Sequence, residues 1–238
     1  MALPFFYAAD SSGYADGTGN ATTVLDEANS RHAVTVLRMQ ADEALHLTDG
    51  RGHLYTATIV DAHKKHCAVR IVSSVYTPPP DNPVAIAVSP LKNASRLEWF
   101  LEKATEIGVH SIRLIQCRRT EKPQARTDRL QQILVSAMLQ SQQSWLPELE
   151  GPLPFERVLS SVADQRYIAH CLDTDRVSLR EAARREGSKL LLIGPEGDFT
   201  LEETAAALAA GFRAVTLGNT RLRTETAAVV GASLLCVF

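Results

Sequence analysis

Hydrophobic and polar residues alternate along the first third of the chain, in short runs separated by turn residues. Leu45 and Leu47 alternate with polar neighbours before an Asp-Gly-Arg-Gly turn at 49–52, and residues 54–60 and 67–72 continue with many β-branched side chains. A period of two is typical of strands that place one face against a core. Short strands joined by tight turns predict a small β-barrel.

A short helix and a proline-rich segment interrupt this alternation. Asp26 is a candidate N-cap for the helix. Residues 77–83 carry four prolines in seven positions, which can form neither a helix nor a central strand. We interpret them as a stiff linker between a domain at 1–76 and a second domain at 84–238.

The second domain alternates strands with helices. Residues 84–88 are a continuous apolar run, as expected for a strand buried on both faces. Ser95 and Glu98 predict a capping box at the start of a helix that Gly108 ends. Further strands are predicted over 112–117, 167–172, 190–193 and 214–217, with helices following Thr127 and Thr224. This order predicts an α/β domain with a mainly parallel sheet.

Composition and charge restrict the function without naming it. The chain has 238 residues, of which 45% are hydrophobic and 22% charged, with a formal net charge of −2, so any nucleic-acid contact must come from local basic patches. The cysteines stand singly, which predicts buried, reduced thiols and no zinc site; they are Cys67, Cys117, Cys171 and Cys236. The apolar opening at 3–9 is too weak for a signal peptide and too short to span a bilayer, which favours a cytoplasmic protein without a membrane segment.

A glycine-rich loop follows the strand at 190–193. Its sequence, Gly-Pro-Glu-Gly-Asp-Phe-Thr at 194–200, allows a sharp turn and a close backbone approach to a ligand. Thr200 and Glu203 predict a capping box for the next helix. The loop has no basic residue, and Glu196 and Asp198 would repel phosphates, so a ligand with a cationic or hydrogen-bond-donating part is favoured. An ordinary strand-to-helix turn is the alternative.

A second candidate loop follows the strand at 214–217. Residues 218–227 read Gly-Asn-Thr-Arg-Leu-Arg-Thr-Glu-Thr-Ala, and Thr224 is the predicted cap of the last helix. Arg223 and Glu225 flank that cap at the carboxyl edge of the sheet, where parallel sheets bind ligands. The alternative is that these charges are solvated or paired with each other.

Together these loops resemble the signature of the 16S rRNA uridine-N3 methyltransferase family, a member of the knotted SPOUT superfamily. The resemblance rests on IGPEGDFT at 193–200 and LGNTRLRTETA at 217–227. It extends to segments that are similar to the family's PUA-like domain and middle region, at 31–39, 49–52, 95–99, 103–109 and 140–141. The chain departs from the family pattern where Asp198 replaces a glycine, and where Thr220 and Arg221 replace an arginine and a branched apolar residue.

The resemblance implies a fold and a reaction. The fold would be α/β, with a C-terminal trefoil-knotted SPOUT domain on a mainly parallel sheet, preceded by a small PUA-like β-barrel. The protein would be a homodimer with each active site near the subunit interface. It would use S-adenosyl-L-methionine, bent within the knot loops, to methylate N3 of a uridine in 16S rRNA of the small ribosomal subunit. The reaction needs alignment of the reacting atoms and no metal.

We assign residue roles on this basis. Arg223 would stabilise the uracil anion, and Glu225 would orient that arginine or accept the proton. The residues expected to bind the cofactor are Leu172, Ile193, Gly194, Glu196, Gly197, Leu217, Gly218, Leu222 and Thr224. The residues expected to bind RNA are Arg31, Arg38, Arg118 and Arg119, with Lys122 nearby. Two alternatives stay open: a non-catalytic RNA-binding or ribosome-assembly protein that keeps the fold, and a SPOUT methyltransferase acting on another RNA base.

Overall fold

The computed structural model describes residues 3–9, 21–121 and 126–237, and the chain divides into two compact units. The N-terminal unit comprises Met1–Pro79 together with Met138–Leu146, and the C-terminal unit comprises Pro80–Ala137 and Pro147–Phe238. The break between Pro79 and Pro80 falls inside the proline-rich segment. Lys122 lies outside the described residues.

The N-terminal unit is built on a mixed five-stranded sheet. Its strands are β1 (Phe5–Tyr7), β2 (Thr22–Val24), β3 (Ala44–Thr48), β4 (His53–Asp61) and β5 (Ala68–Tyr76), in the order β1-β3-β4-β5-β2. β1 pairs with β3 in parallel and the other pairs are antiparallel. In β4, Tyr55, Ala57 and Ile59 are buried while their neighbours are more exposed, which confirms the period of two in the sequence.

The segment Met138–Leu146 joins the N-terminal unit although it is distant in sequence. Trp145 donates its indole N–H to the carbonyl of Thr77 at 3.0 Å, and its ring lies where a side chain on Gly52 would be. The backbone N–H of Leu146 donates to the carbonyl of Gly50 at 2.9 Å. The Asp-Gly-Arg-Gly turn therefore contacts this segment. The sequence had predicted that the segment belongs to the second domain.

The C-terminal unit contains a seven-stranded sheet in which every pair is parallel. The strands are β6 (Val84–Val88), β7 (Ser111–Gln116), β8 (Glu148–Pro154), β9 (Gln165–Ala169), β10 (Val177–Ser178), β11 (Lys189–Ile193) and β12 (Arg213–Thr216). Their order is β10-β12-β9-β11-β6-β7-β8. All residues of the central strand β11 are buried, as its continuous apolar run predicts.

Helices alternate with the strands in both units; the first belongs to the N-terminal unit and the others begin in the C-terminal unit. Their bounds are α1 (Glu27–Arg31, followed by a π-helical turn at His32–Val36), α2 (Ala94–Ile107), α3 (Thr127–Gln140), α4 (Phe155–Leu159), α5 (Leu179–Ala182), α6 (Leu201–Ala209) and α7 (Thr224–Cys236). The last helix, α7, packs against α2, β6 and β11. The approach is so close that a side chain on Gly231 would overlap Leu191.

The ends of the helices agree with the sequence in part. Asp26 caps α1 by accepting from the N–H of Asn29 at 2.7 Å, and Thr200 forms the predicted capping box of α6. The predicted box at Ser95 is wrong: Asn93 is the N-cap of α2 and its side chain accepts from the N–H of Ser95. Asparagine is an equally strong cap, so the helix begins earlier. Thr224 is likewise the first residue of α7 rather than its cap.

Candidate active site

The carboxyl ends of β9, β11 and β12 meet at one edge of the parallel sheet, and the loops that follow them surround a cavity of about 730 Å³. The start of α7 and Arg96 of α2 complete its walls. This volume lies within the roughly 300–1,000 Å³ usual for small-molecule sites. The position is the one that parallel sheets use for ligands.

Most of the predicted cofactor residues lie in the walls of this cavity. The lining includes Ile193, Gly194, Glu196, Leu217, Gly218, Leu222 and Thr224. Leu172 and Gly197 lie outside the lining, although each is adjacent in sequence to a residue within it. The structure therefore brings the two predicted loops together at one cavity, while the parts played by individual residues remain predictions.

Two glycines in these loops face different constraints. Gly218 has φ +151°, and a Cβ there would meet no atom within 4 Å, so its backbone borders open space in the cavity wall. A Cβ on Gly194 would lie 3.1 Å from the ring and the backbone nitrogen of Phe199, whose side chain is fully buried. Gly218 therefore keeps the cavity open, whereas Gly194 lets the loop pack on its own core residue.

Asp198 explains one departure from the family pattern. Its φ of +65° is left-handed, a conformation that aspartate tolerates better than most residues do. Its Oδ2 accepts from the N–H of Cys171 at 2.8 Å, and its Oδ1 accepts from the N–H of Phe199 at 2.8 Å. The carboxylate thus ties the loop after β11 to the loop after β9.

Neighbouring side chains brace the loop after β11 from outside. Arg119 donates from Nη1 to the carbonyl of Gly197 at 2.7 Å. Glu203 accepts from the backbone N–H of Arg118 at 2.7 Å through Oε1 and from that of Thr200 at 2.8 Å through Oε2. Arg118 and Arg119 are both exposed, but the guanidinium of Arg119 is already bound to the loop.

Glu225 and Arg223, the predicted catalytic pair, have different surroundings. Arg223 is exposed in the cavity wall, and its guanidinium has no hydrogen-bond or ion-pair partner among the residues that the structure describes. Glu225 is buried, and its Oε1 lies 3.6 Å from Nε of Arg96. Within the described chain, Oε2 of Glu225 has no partner. The ion pair of Glu225 is thus with Arg96 and not with Arg223.

Sequence reasoning missed Arg96 and His170, which both line the cavity. Arg96 lies in the 95–99 segment that carried the family resemblance, so that segment held a usable signal. His170 directly follows β9, and no pattern in the sequence singled it out. The ring of His170 is buried, and burial lowers its pKa from the ordinary value; the charge of Asp198 opposes this shift and that of Arg176 adds to it.

Arg31 and Arg38, the other candidate RNA-binding residues, are not part of the cavity lining. Arg31 and Arg38 belong to the N-terminal unit and are exposed.

The prediction of buried thiols holds for Cys67 and Cys117, where burial raises the thiol pKa. It is wrong for Cys171, which is exposed and lines the cavity. Its strand ends at Ala169, two residues before it, so the thiol falls in a loop.

The described residues contain neither a candidate metal cluster nor a helix that could span a membrane. Across 3–9, 21–121 and 126–237, no three His, Cys, Asp or Glu side chains are grouped so that they could hold a metal ion. No helix in the described part of the chain is both long and apolar enough to cross a membrane.

Comparison with known families gives the class to which this fold and cavity belong, the RNA methyltransferases. Residues 78–236 match the RNA methyltransferase domain family, and residues 25–72 match the RNA methyltransferase PUA domain family. Ribosomal RNA small subunit methyltransferase E of Mycobacterium tuberculosis is 34% identical over 222 residues, covering 88% of this chain and 84% of the relative. The Synechocystis protein of the same name is 32% identical, covering 88% and 71%.

Solved structures agree. A probable rRNA-methyltransferase from Porphyromonas gingivalis superposes with a TM-score of 0.89 at 36% identity, covering 97% of this chain and 95% of that one. Ribosomal RNA small subunit methyltransferase E from Neisseria gonorrhoeae, bound to S-adenosyl methionine, superposes with a TM-score of 0.82 at 28% identity, covering 98% and 96%. The chain belongs to the ribosomal RNA small subunit methyltransferase E family. The expected α/β SPOUT fold with a PUA-like domain is confirmed.

Proposed function

We propose that this protein transfers a methyl group from S-adenosyl-L-methionine to N3 of a uridine in 16S rRNA. The observation that carries the proposal is the cavity at the carboxyl edge of the parallel sheet, because its walls are the two signature loops of the family. The reaction needs two things from the protein: a fixed position for the methyl donor and stabilisation of the uracil anion.

The cavity fits the cofactor in size and charge. Gly218 borders open space, and a wall that carries the carboxylates of Glu196, Asp198 and Glu225 suits a ligand with a positive sulfonium and ammonium group. When bound, the cofactor supplies an activated methyl group.

Arg223 and Glu225 would handle the charge and the proton of the uracil. The neutral imide nitrogen is a poor nucleophile, so the N3 proton must leave, and the exposed guanidinium of Arg223 would stabilise the resulting anion. Glu225 has two expected roles, which are to orient Arg223 or to accept the proton. Its pairing with Arg96 and its unpaired Oε2 favour the acceptor role instead, with the proton passing to that oxygen.

Exposed arginines would hold the RNA while the target base leaves its stack. Arg31, Arg38 and Arg118 have exposed side chains that suit phosphate contacts, which position an RNA without reading its sequence. The target uracil must be unstacked to reach a cavity of this depth. Arg119 is a weaker candidate because its guanidinium already binds the carbonyl of Gly197.

We also propose a homodimer formed by the C-terminal units and working in the cytoplasm. The helix α7 is strongly apolar, and Val229, Val230 and Leu234 on it are only partly buried within one chain. A second copy that covers these side chains would remove apolar surface from water, which stabilises an interface.

Mass spectrometry of rRNA nucleosides from cells that lack this gene tests the reaction. The proposal predicts that 3-methyluridine disappears from the small subunit and returns when the gene is restored. Loss of a different methylated nucleoside would assign the enzyme to another base. An unchanged nucleoside profile, together with no heat on titration with S-adenosyl-L-methionine, would identify a non-catalytic RNA-binding protein.

A further inference from the structure

His170 lines the cavity, and both nitrogens of its buried imidazole have unused hydrogen-bonding capacity. The residue directly follows β9 and is 4% exposed. Neither ring nitrogen has a hydrogen-bond partner among the described residues. Native proteins pair the large majority of buried polar side-chain atoms, and unpaired ones call for a specific explanation.

Tyr167 lies on β9, the strand that precedes His170, and its buried hydroxyl has hydrogen-bond partners. The tyrosine hydroxyl lies 2.8 Å from Oε1 of Gln165 and 3.1 Å from the carbonyl of Ala182. Tyr167 is outside the cavity lining, whereas His170 is part of it. The unpaired ring therefore coincides with the ligand cavity.

The backbone around His170 is fixed on both sides. Arg176 donates from Nη1 to the carbonyl of His170 at 2.6 Å, and Asp198 accepts from the N–H of the next residue, Cys171, at 2.8 Å. These contacts hold the peptide that carries the ring. Other charged groups of the cavity wall, including Glu196 and Arg221, are exposed to solvent, although Oε1 of Glu196 accepts from the backbone N–H of Lys92 at 3.0 Å.

Burial keeps the imidazole in its neutral form, because it lowers the pKa below the ordinary value, with Asp198 opposing and Arg176 assisting. A neutral imidazole has one N–H donor and one nitrogen acceptor. A ligand hydroxyl can both donate and accept, so it can pair with either nitrogen whichever one carries the proton. A nucleoside, with its ribose hydroxyls and its base, supplies neutral groups of this kind.

We infer that His170 is a cofactor-binding residue, whose imidazole forms a hydrogen bond with the nucleoside part of the S-adenosyl ligand. This inference rests on the proposed function, since it takes the cavity to be the cofactor site. His170 thereby adds one residue to the set that the sequence predicts to bind the cofactor.

Titration calorimetry with S-adenosylhomocysteine tests the inference without any turnover. His170→Phe keeps a flat ring but removes both nitrogens, and we expect it to weaken binding at least tenfold. The melting temperature of the ligand-free protein should stay the same or rise, because an unpaired buried polar group is removed. His170→Asn keeps a donor and an acceptor and should recover part of the affinity.

Tyr167→Phe is the matched control, because it removes a polar group that already has partners. It should lower the melting temperature and leave the affinity unchanged. As a direct readout, the ring ¹⁵N resonances of His170, assigned by their loss in His170→Asn, should shift when S-adenosylhomocysteine is added. Analogues of S-adenosylhomocysteine that lack a ribose hydroxyl then locate the contact. If removing the hydroxyl weakens binding to the parent protein but not to His170→Phe, the ring contacts the ribose. If it weakens binding equally in both proteins, the ring contacts the base.

Two results would overturn the inference. If the parent binds S-adenosylhomocysteine but His170→Phe binds equally well and the ring resonances do not move, His170 is paired with water and plays no part in binding. The proposed function would survive that result. If the parent itself gives no heat, the proposed function fails and the inference fails with it.

Discussion

Replacing Arg223 with alanine should lower the rate of methyl transfer while leaving the stability of the fold almost unchanged. The side chain is exposed, makes no capping bond to α7, and has no partner among the described residues. The free energy of unfolding should therefore change by no more than about 0.5 kcal/mol, as for ordinary surface substitutions. If the guanidinium stabilises the uracil anion, its loss should cost roughly 2.7–4 kcal/mol in the transition state, or about a hundred- to thousandfold in rate.

The assay is single-turnover transfer of labelled methyl from S-adenosyl-L-methionine to small ribosomal subunits from cells lacking the enzyme. Affinity for the cofactor should change little, and Arg223→Lys should recover only part of the rate because the planar fork is lost. Arg185→Ala, which removes an exposed guanidinium outside the cavity lining, is the control and should retain the parent rate. Transfer at the parent rate by Arg223→Ala would refute the catalytic assignment.

Four further predictions follow from the cavity and its surroundings. Gly218→Val should weaken cofactor binding at least tenfold by calorimetry, since a branched side chain would enter open space in the wall and strain a left-handed residue; unchanged affinity would move the site elsewhere. Arg119→Ala should weaken cofactor binding several-fold, because it releases the carbonyl of Gly197. Arg118→Ala should leave the affinity unchanged, because only the backbone of Arg118 bonds to Glu203. Equal effects of the two substitutions would contradict a role for the Arg119 side chain in holding the loop. The folded structure lowers the pKa of His170, so the folded chain binds fewer protons at this ring than the unfolded chain does. The free energy of unfolding should therefore fall as the pH drops from about 7 through the folded pKa. Denaturant titrations should show a smaller fall in His170→Phe. Light scattering at micromolar concentration should give twice the chain mass of 26.0 kDa, and a fully active monomer would exclude the dimer.

The sheet and the cavity could be predicted because both depend on local patterns. A continuous apolar run such as 190–193 indicates a central parallel strand, and the structure buries all of β11. Ligands bind beyond the carboxyl ends of such strands, so the sequence places the loops at 194–200 and 218–227 at the edge of the sheet that binds ligands.

Contacts between distant residues could not be predicted in the same way. Glu225 has charged neighbours in sequence, yet its partner is Arg96, more than a hundred positions away, because α7 packs against α2. The unpaired ring of His170 is visible only once the surrounding atoms are placed. Met138–Leu146 joins the N-terminal unit through Trp145 and the turn at 49–52, which no periodicity indicates.

The central claim is tested most directly by incubating the purified protein with methyl-labelled S-adenosyl-L-methionine and small ribosomal subunits that lack the modification, then identifying the labelled nucleoside by mass spectrometry. The account predicts that the label appears in 3-methyluridine from 16S rRNA, and that Arg223→Ala produces it at least about a hundredfold more slowly. Label in any other nucleoside, or no label while the parent binds the cofactor, would contradict it.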